Sequence, residues 1–315
     1  MRHQLVQSLR GRYPVQRICE VLEVSRSGYY ARCRRPEPVR VREDRRLKQQ
    51  ILAVHTATAG RYGTPRVERQ LRRQGIATSR ERVARLRREL GLKAKGRRQF
   101  RVTTDSKHTY PIADNRLQRR FHARGPNEVW LGDITYLVHG RGWLYLALLM
   151  DVFSRRIVGW SLSDRIDEHL TMTALRRAID ARRPPPGLIH HTDRGAQYCG
   201  NAYRRALDRA GLEASMSRRG DCWDNAMAES LIKTVKTELG REFLSRDLAQ
   251  RQLFEYIEGF YNTRRLHSGL DYRTPAEVER LVAPSPPSLS LERWSKEAVA
   301  PPALAAPATA SPTLT

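Results

Sequence analysis

Asp133, Asp193 and Glu229 are the residues of this sequence best suited to act together in chemistry. They are separated by 59 and 35 intervening residues. Asp133 sits in the middle of the alternating stretch "NEVWLGDITYLV" (127–138), where an unpaired carboxylate in a core is costly. Asp193 ends the short apolar run "GLIHHTD" (187–193), and Glu229 follows in "SMSRRGDCWDNAMAESLIKTVKTELG" (215–240), after a loop carrying Asp221, Asp224 and Asn225. Lys233 and Lys236 stand four and seven residues beyond Glu229, which puts all three on one stripe, opposite an apolar arc of Leu231, Ile232, Val235 and Leu239. Three carboxylates gathered without cations repel, and a hard divalent ion such as Mg²⁺ relieves the repulsion. Two such ions about 4 Å apart activate the attacking oxygen and stabilise the leaving one in a phosphoryl displacement. The lysines would then hold the phosphodiester presented to the metal. With 33 acidic residues in the chain, many Asp/Asp/Glu triples can be drawn, so spacing by itself does not single this one out.

The elements around these residues can be read from periodicity. The alternation at 127–138 predicts a strand, and "WLYLALLMDVFSRRIVGWSLS" (143–163) predicts a buried strand, a turn at Ser154-Arg155 and a third strand, all antiparallel neighbours. A helix with Leu170, Ala174, Leu175, Ala178 and Ile179 inward follows, then the strand ending at Asp193, a helix near 200–210, a strand at "LEASMS" and the Glu229 helix. Another helix is expected at 246–262. Upstream, 14–33 reads as helix, tight turn, helix. At 61–92, Thr64 as N-cap, Pro65, Gly75, the cap Ser79 and Gly91 frame two more helices. The second has Val83, Leu86 and Leu90 inward and Arg80, Arg82, Arg85, Arg87 and Arg88 outward, as a helix that enters a major groove requires. A plain helical hairpin with a charged exterior fits the same pattern.

Charge separates the chain into two parts. Residues 1–125 hold 33 basic and 10 acidic side chains, a balance of +23, and the other 190 residues hold 25 and 23, a balance of +2. Such asymmetry points to a nucleic-acid-binding N-terminal region on a differently constructed body. Four cysteines, Cys19, Cys33, Cys199 and Cys222, lack any metal-ligand or disulfide-framework spacing and are expected to be buried or idle. The longest apolar run, "WLYLALLMDVF", falls short of the roughly 20 residues of a spanning helix, and the N-terminus has no apolar segment of a secretion leader, so no membrane role and a cytoplasmic location are expected.

Several further residues admit two readings. Asp151 is either a fourth acid or the cap of the turn before Ser154, with the cap favoured. His190 and His191 either steer a phosphate or are hydrogen-bonded structural histidines. Trp223 can stack on a splayed base or wedge its loop, and Asn225 can cap the Glu229 helix or touch DNA, with capping favoured. Arg264, Arg265 and His267 form a plausible phosphate-binding cluster at a helix end, against a role with the helix dipole.

The blocks "VWLGDITYL", "LLMDVFSRRIVGW", "HTDRGAQY", "SMSRRGDCWDNAMAESLIKTVKTEL" and "YNTRRLHSGLDYRTPAEV" resemble, in order, those of transposases of the insertion-sequence-3 family, whose catalytic domain is similar to retroviral integrases. The resemblance runs from about residue 45 to 280. It implies an α/β, RNase H-like mixed five-stranded sheet flanked by helices and preceded by a small all-α helix-turn-helix region. The division expected is a basic DNA-binding region at 1–97, a basic linker at 98–125, a catalytic core with C-terminal helices at 126–281 and a disordered Pro/Ala-rich tail at 282–315. By the same resemblance Asp133, Asp193 and Glu229 are the metal-binding catalytic triad, with two Mg²⁺ ions that Mn²⁺ can replace, and Lys236 is the basic residue seven positions past the glutamate. The expected DNA contacts are Lys233, Lys236, Arg80, Arg82, Arg85, Arg88, Arg264 and Arg265.

The function implied is metal-dependent cleavage and strand transfer of insertion-sequence ends. The partners are the inverted-repeat ends, target DNA and further copies of the chain in a synaptic complex. The family's full-length enzyme is a frameshift fusion in which an upstream frame supplies another helix-turn-helix and a coiled coil; this sequence, with no heptad seam, corresponds to the downstream product. An RNase H-type nuclease without strand transfer and a sequence-specific DNA-binding regulator are the alternatives. Each neutralised phosphate steepens the log-log salt dependence of DNA affinity by about 0.9, so titrations of nonspecific duplex at increasing salt should show a steep slope. Charge-neutralising substitutions within 1–125 should flatten it more than equal numbers within 126–281.

Overall fold

The computed structural model describes residues 2–34, 37–96, 111–140, 142–218, 222–240 and 242–282. Asp221, the linker up to residue 110 and the tail beyond residue 282 lie outside the described residues. Three short helices, α1 (Arg2–Leu9), α2 (Val15–Val21) and α3 (Arg26–Arg34), enclose a small core of Val6, Ile18, Cys19 and Tyr29. The expected helix-turn-helix is α2 and α3, and α1 is an addition to it. Next come α4 (Val39–Ala57), α5 (Thr64–Arg73) and α6 (Arg80–Glu89). Leu47, Ile51 and Val54 of α4 close over Val67 and Leu71 of α5 and Val83 and Leu86 of α6. Ser79 caps α6 by accepting from Arg82 N at 3.2 Å, and Gly75 (φ +79°) and Gly91 (φ +67°) end the two helices in the left-handed conformation that glycine tolerates. The cap of α5 is Gly63 rather than Thr64, which is already helical.

The sheet is built from β1 (Val129–His139), β2 (Gly142–Asp151), β3 (Ile157–Ser163), β4 (Ile189–Thr192) and β5 (Glu213–Met216), in the order β3-β2-β1-β4-β5. β1, β2 and β3 are antiparallel, while β1, β4 and β5 are parallel. This is the expected RNase H-like mixed sheet; a two-residue β6 (Glu242–Phe243) adds to the far end of β1. The turn between β2 and β3 carries Arg155 at φ 58°, and Asp151 ties it by accepting from Ser154 N (2.9 Å), Ser154 Oγ (3.0 Å) and Asn127 N (2.7 Å). Asp151 is therefore the turn cap.

Helices cover both faces. On one lie α7 (Glu168–Arg182), α8 (Ala196–Cys199) and α9 (Asn201–Arg209), packed on Trp130, Ala147 and Leu149. On the other lie α10 (Ala226–Glu238) and α11 (Arg246–Tyr256), packed with Leu131, Leu137 and Leu146. Because side chains alternate along a strand, Asp133 shares the face of Leu131 and Leu137, the face that α10 covers. The same core runs on without a break into α4, α5 and α6. After α11 the helix widens into a π turn, Ile257–Tyr261, and α12 (Pro275–Val282) closes the described chain. Just past the π turn, Asn262 mimics a strand: its Oδ1 accepts from Ile157 N at 2.9 Å and its Nδ2 donates to Ile157 O at 3.0 Å. Among the described residues no helix is long and apolar enough to cross a membrane, and Cys19, Cys33 and Cys199 are free thiols.

β3 and α7 touch backbone to backbone at Gly159, where a Cβ would stand 2.3 Å from Ala174 O and 2.8 Å from Ala178 Cβ. Gly159→Ala should force the helix off the sheet and destabilise the protein by about 1–3 kcal/mol or more, read as a lowered midpoint in urea denaturation.

Candidate active site

β1 and β4 pair in parallel with Leu131 opposite His191, so two further residues along each strand bring Asp133 and Asp193 level at the point where β4 stops. Asp193 Oδ1 accepts from Gly195 N at 3.0 Å, which fixes the turn that leaves the strand. Glu229 lies in the first turn of α10, where the N-terminal end of the helix favours a carboxylate. Burial, then the charges of Asp193 and Glu229, push the Asp133 carboxyl well above the usual range; the N–H of Ile134, 2.8 Å away, and Lys236 oppose them. Partial desolvation and then Asp193 raise Glu229, while Lys233 lowers it. The three acids thus sense one another across the face of the sheet.

Among the described residues, no three acidic, His or Cys side chains stand close enough to ligate a single metal. The all-oxygen donor set of Asp133, Asp193 and Glu229 suits a hard divalent ion, which would offset the mutual repulsion of the carboxylates. The site fits such a metal in chemistry, with the carboxylates needing to draw in around it.

Lys236 departs from the expected stripe. It is buried, with its Nζ 4.1 Å from the centre of the Tyr136 ring, so it stacks on β1 beneath the helix while Glu229 and Lys233 face solvent. Residues i and i+7 do share a side of a helix, but the C-terminal half of α10 passes directly over the sheet. Behind Asp193, both histidines are structural. His190 Nε2 lies 2.8 Å from Tyr203 OH, and burial and then His191 hold its pKa down at about 3. His191 bridges Ser215 Oγ (2.8 Å) and the carbonyl of Asp224 (3.0 Å).

The loop before α10 is braced by Asp224, which is fully buried. It accepts from Arg119 Nε (2.9 Å), Asn115 Nδ2 (2.8 Å), and Arg218 through N (3.0 Å), Nε and Nη2 (both 2.9 Å). Nothing local in the sequence marks this brace, since Asn115 and Arg119 come from before β1. Asn225 sits at the N-cap of α10 without making a side-chain cap bond, and its Oδ1 is buried with no hydrogen-bond partner, contrary to the capping expected of it. Trp223 beside it is 68% exposed.

The basic residues divide in the same way. Arg80 and Arg88 project from α6 into solvent. Arg82 donates to Asp44 Oδ1 (2.8 Å) and Glu43 (3.2 Å), and Arg85 to Asp44 Oδ2 and Glu89 (both 2.6 Å). Arg87, expected outward, is buried and donates to Tyr62 O at 2.8 Å; it stands four residues after Val83, on the core side. Arg264 is exposed, but Arg265 and His267 are buried, with Arg265 locked onto Glu238, so these two are not available to phosphate.

Two stretches, 123–222 and 210–275, match models of the integrase core domain, and 42–100 matches an HTH-like domain. A 31 kDa protein of insertion element IS600 from Shigella sonnei is 45% identical over 82% of this chain and 96% of its own length. Transposase InsF of insertion sequence IS3A from Escherichia coli K12 is 39% identical over 89% of this chain and 98% of its own. The chain belongs to the insertion-sequence-3 family of transposases. Like other members of that family it is a polynucleotidyl transferase of DNA transposition, and DNA is its partner. Solved structures similar to this transposase include the simian T-cell lymphotropic virus intasome bound to a PP2A regulatory subunit (15% identical, TM-score 0.44, 83% of this chain and 80% of that one). Another is the HTLV-2 integrase catalytic core with magnesium (16% identical, TM-score 0.38, 50% of this chain and 99% of that one).

Arg218 and Arg119 hold the Asp224 carboxyl well below the usual carboxylate range. A group depressed in the folded state stabilises above its unfolded pKa and loses that contribution as pH falls through its folded value. The transposase variant Asp224→Asn should therefore melt lower than wild type at neutral pH, and the difference should shrink once pH drops below about 4.

Proposed function

We propose that Asp133, Asp193 and Glu229 are the metal-binding catalytic acids of this transposase, acting in end cleavage and strand transfer. The observation that carries the reading is the level placement of Asp133 and Asp193 beneath Glu229, with the proton affinities of Asp133 and Glu229 both raised by the charge of Asp193. Bound there, two Mg²⁺ ions, or Mn²⁺ in their place, would activate the attacking oxygen and stabilise the leaving one. Asp133, fixed mid-strand, sets the floor of the site, and Asp193 and Glu229 close in from either side. Lys233, on the open face of α10 one turn past Glu229, meets the phosphodiester. Lys236, from the C-terminal half of α10, opposes the burial and like charge that raise the proton affinity of Asp133.

The helical region supplies DNA binding. Arg80 and Arg88 are its outward contacts from α6, with Arg82 and Arg85 oriented by Asp44, and Arg264 adds a further basic group beside the core. The DNA partners are the inverted-repeat ends of the element and a target duplex. Further copies of the chain complete the synaptic complex, and an upstream-frame segment joins it by frameshift fusion. The chain works in the cytoplasm on the nucleoid.

Replacing Asp133, Asp193 or Glu229 by its amide keeps the size of the side chain and removes the charge that holds a cation beside a phosphate. Each amide variant should lose Mg²⁺-dependent cleavage and joining of labelled ends while binding those ends nearly as wild type does. Near wild-type turnover in any one of them would remove that residue from the site. Cleaved but unjoined products from the wild-type protein would favour a nuclease.

A further inference from the structure

We propose that Glu238 and Arg265 are positioning residues for Glu229, and that Arg61 and Lys95 tie the helical region to them, so that end binding and placement of the catalytic glutamate are linked. The inference rests on the proposed roles of Glu229 and of the helical region. Glu238 is the last residue of α10, nine residues beyond Glu229 on one continuous helix. It is 5% exposed, so its carboxylate is enclosed by protein. Arg265 Nε reaches both of its carboxylate oxygens, at 3.0 and 2.9 Å, and Arg265 Nη2 reaches Oε1 at 2.6 Å. Tyr256 OH donates to Oε2 at 3.0 Å, and Arg66 stands 3.6 Å from Oε1.

The same residue is also held through its backbone. Its carbonyl oxygen accepts from Lys95 Nζ at 2.8 Å and Arg61 Nε at 3.3 Å. Both cations lie where the negative end of a helix favours them. Arg61 further stacks over Phe260 and Tyr256, 4.6 and 5.2 Å from the ring centres. Tyr62 OH accepts from Leu266 N at 2.8 Å and donates to Arg264 O at 3.0 Å, and Arg66 Nε donates to Leu266 O at 2.9 Å. The segment between α4 and α5 is thereby locked to the chain around Arg265.

The convergence is lopsided in charge. Four cations, Arg61, Arg66, Lys95 and Arg265, face one carboxylate and one helix end. Three of the four come from the helical region: Arg61 from the segment before α5, Arg66 from the first turn of α5, and Lys95 from beyond α6. A helix is stiff along its axis, so a shift or rotation where these groups grip Glu238 moves Glu229 at the other end. A load on α6 from bound DNA has a direct route into that grip, because Arg87 of α6 donates to the carbonyl of Tyr62, next to Arg61. By reciprocity, whatever end binding does to α10, a well-placed α10 does for end binding.

The test keeps the whole chain and leaves metal out. Arg61→Leu combined with Lys95→Met removes both cationic donors, keeps side-chain bulk and spares the Glu238 to Arg265 pair. Hydrogen exchange of α10 amides is followed with and without a duplex carrying the element's end, beside a titration of that duplex. In wild type the duplex should slow exchange along α10; in the double variant the slowing should shrink on the order of five- to tenfold while folding persists. Equal slowing in both proteins would overturn the link, since it would mean that DNA acts on α10 directly. Failure of the wild-type chain to bind the end would instead remove the DNA-binding reading beneath the proposal, and the titration reports that separately.

For Glu238 itself, Glu238→Gln should speed α10 exchange without DNA and lower turnover at saturating duplex more than it weakens duplex binding. Tyr256→Phe, which deletes one hydrogen bond and no charge, should do the same to a smaller degree and covers the case in which Glu238→Gln does not fold. A lowered melting temperature with turnover and α10 exchange unchanged at temperatures where the variants are folded would reduce Glu238 to a purely structural ion pair.

Discussion

The structure is organised around a carboxylate in the wrong place. Asp133 occupies the middle of the central strand, with apolar neighbours Leu131 and Leu137 on its own face, and burial penalises its charge. The surrounding features set the size of that cost. β4 ends level with it, so the neighbouring strand sets the Asp193 carboxylate beside it and adds like charge at that point. α10 crosses above it and sets Lys236 against it from one end of the helix and Glu229 from the other. Displaced by one residue along β1, the carboxyl would point at Trp130 and the packed face of α7, where only a protonated acid could survive.

Much of this was legible in the sequence because strands and helices advertise their buried faces. The alternation of 127–138 located β1 and the side on which Asp133 lies, and the Gly and Ser punctuation of 61–92 located α5 and α6. The buried run of β2 and the turn at Ser154-Arg155 were equally plain, since a strand covered on both faces has no alternation to lose. What could not be read was pairing across distance. Arg265 and His267 look like surface bases until Glu238 is brought beneath them, and Asp224 is one more loop acid until Arg119 and Arg218 enclose it. Arg87 was misjudged for a different reason: residue type was allowed to outweigh its place four residues after Val83. Lys236 could not be resolved by helical geometry, because the stripe it shares with Glu229 runs from solvent at one end to sheet at the other.

The charge of the N-terminal region has a matching double use. Its balance of +23 suggests a surface given over to phosphate, yet several of its cations are spent inside the protein. Arg87 fills a place in the core, Arg61 and Arg66 bind the body, and Arg82 and Arg85 are held by Asp44. A formal count therefore overstates what a DNA duplex meets. Arginine suits the work because its planar fork can satisfy a carboxylate or a carbonyl while its stem packs on aromatic rings, as Arg61 does on Phe260.

The hold of Asp44 on two residues of α6 bears on how the protein can change by descent. A substitution at Arg80 or Arg88 disturbs only an exposed side chain and leaves the packing of α6 as it is. Arg82 and Arg85 share one acid, and losing either leaves the other to carry a pairing made for two. A change at either one is therefore felt at Asp44, on a different helix. A single helix thus carries side chains that can be exchanged alone beside others tied to a neighbouring helix.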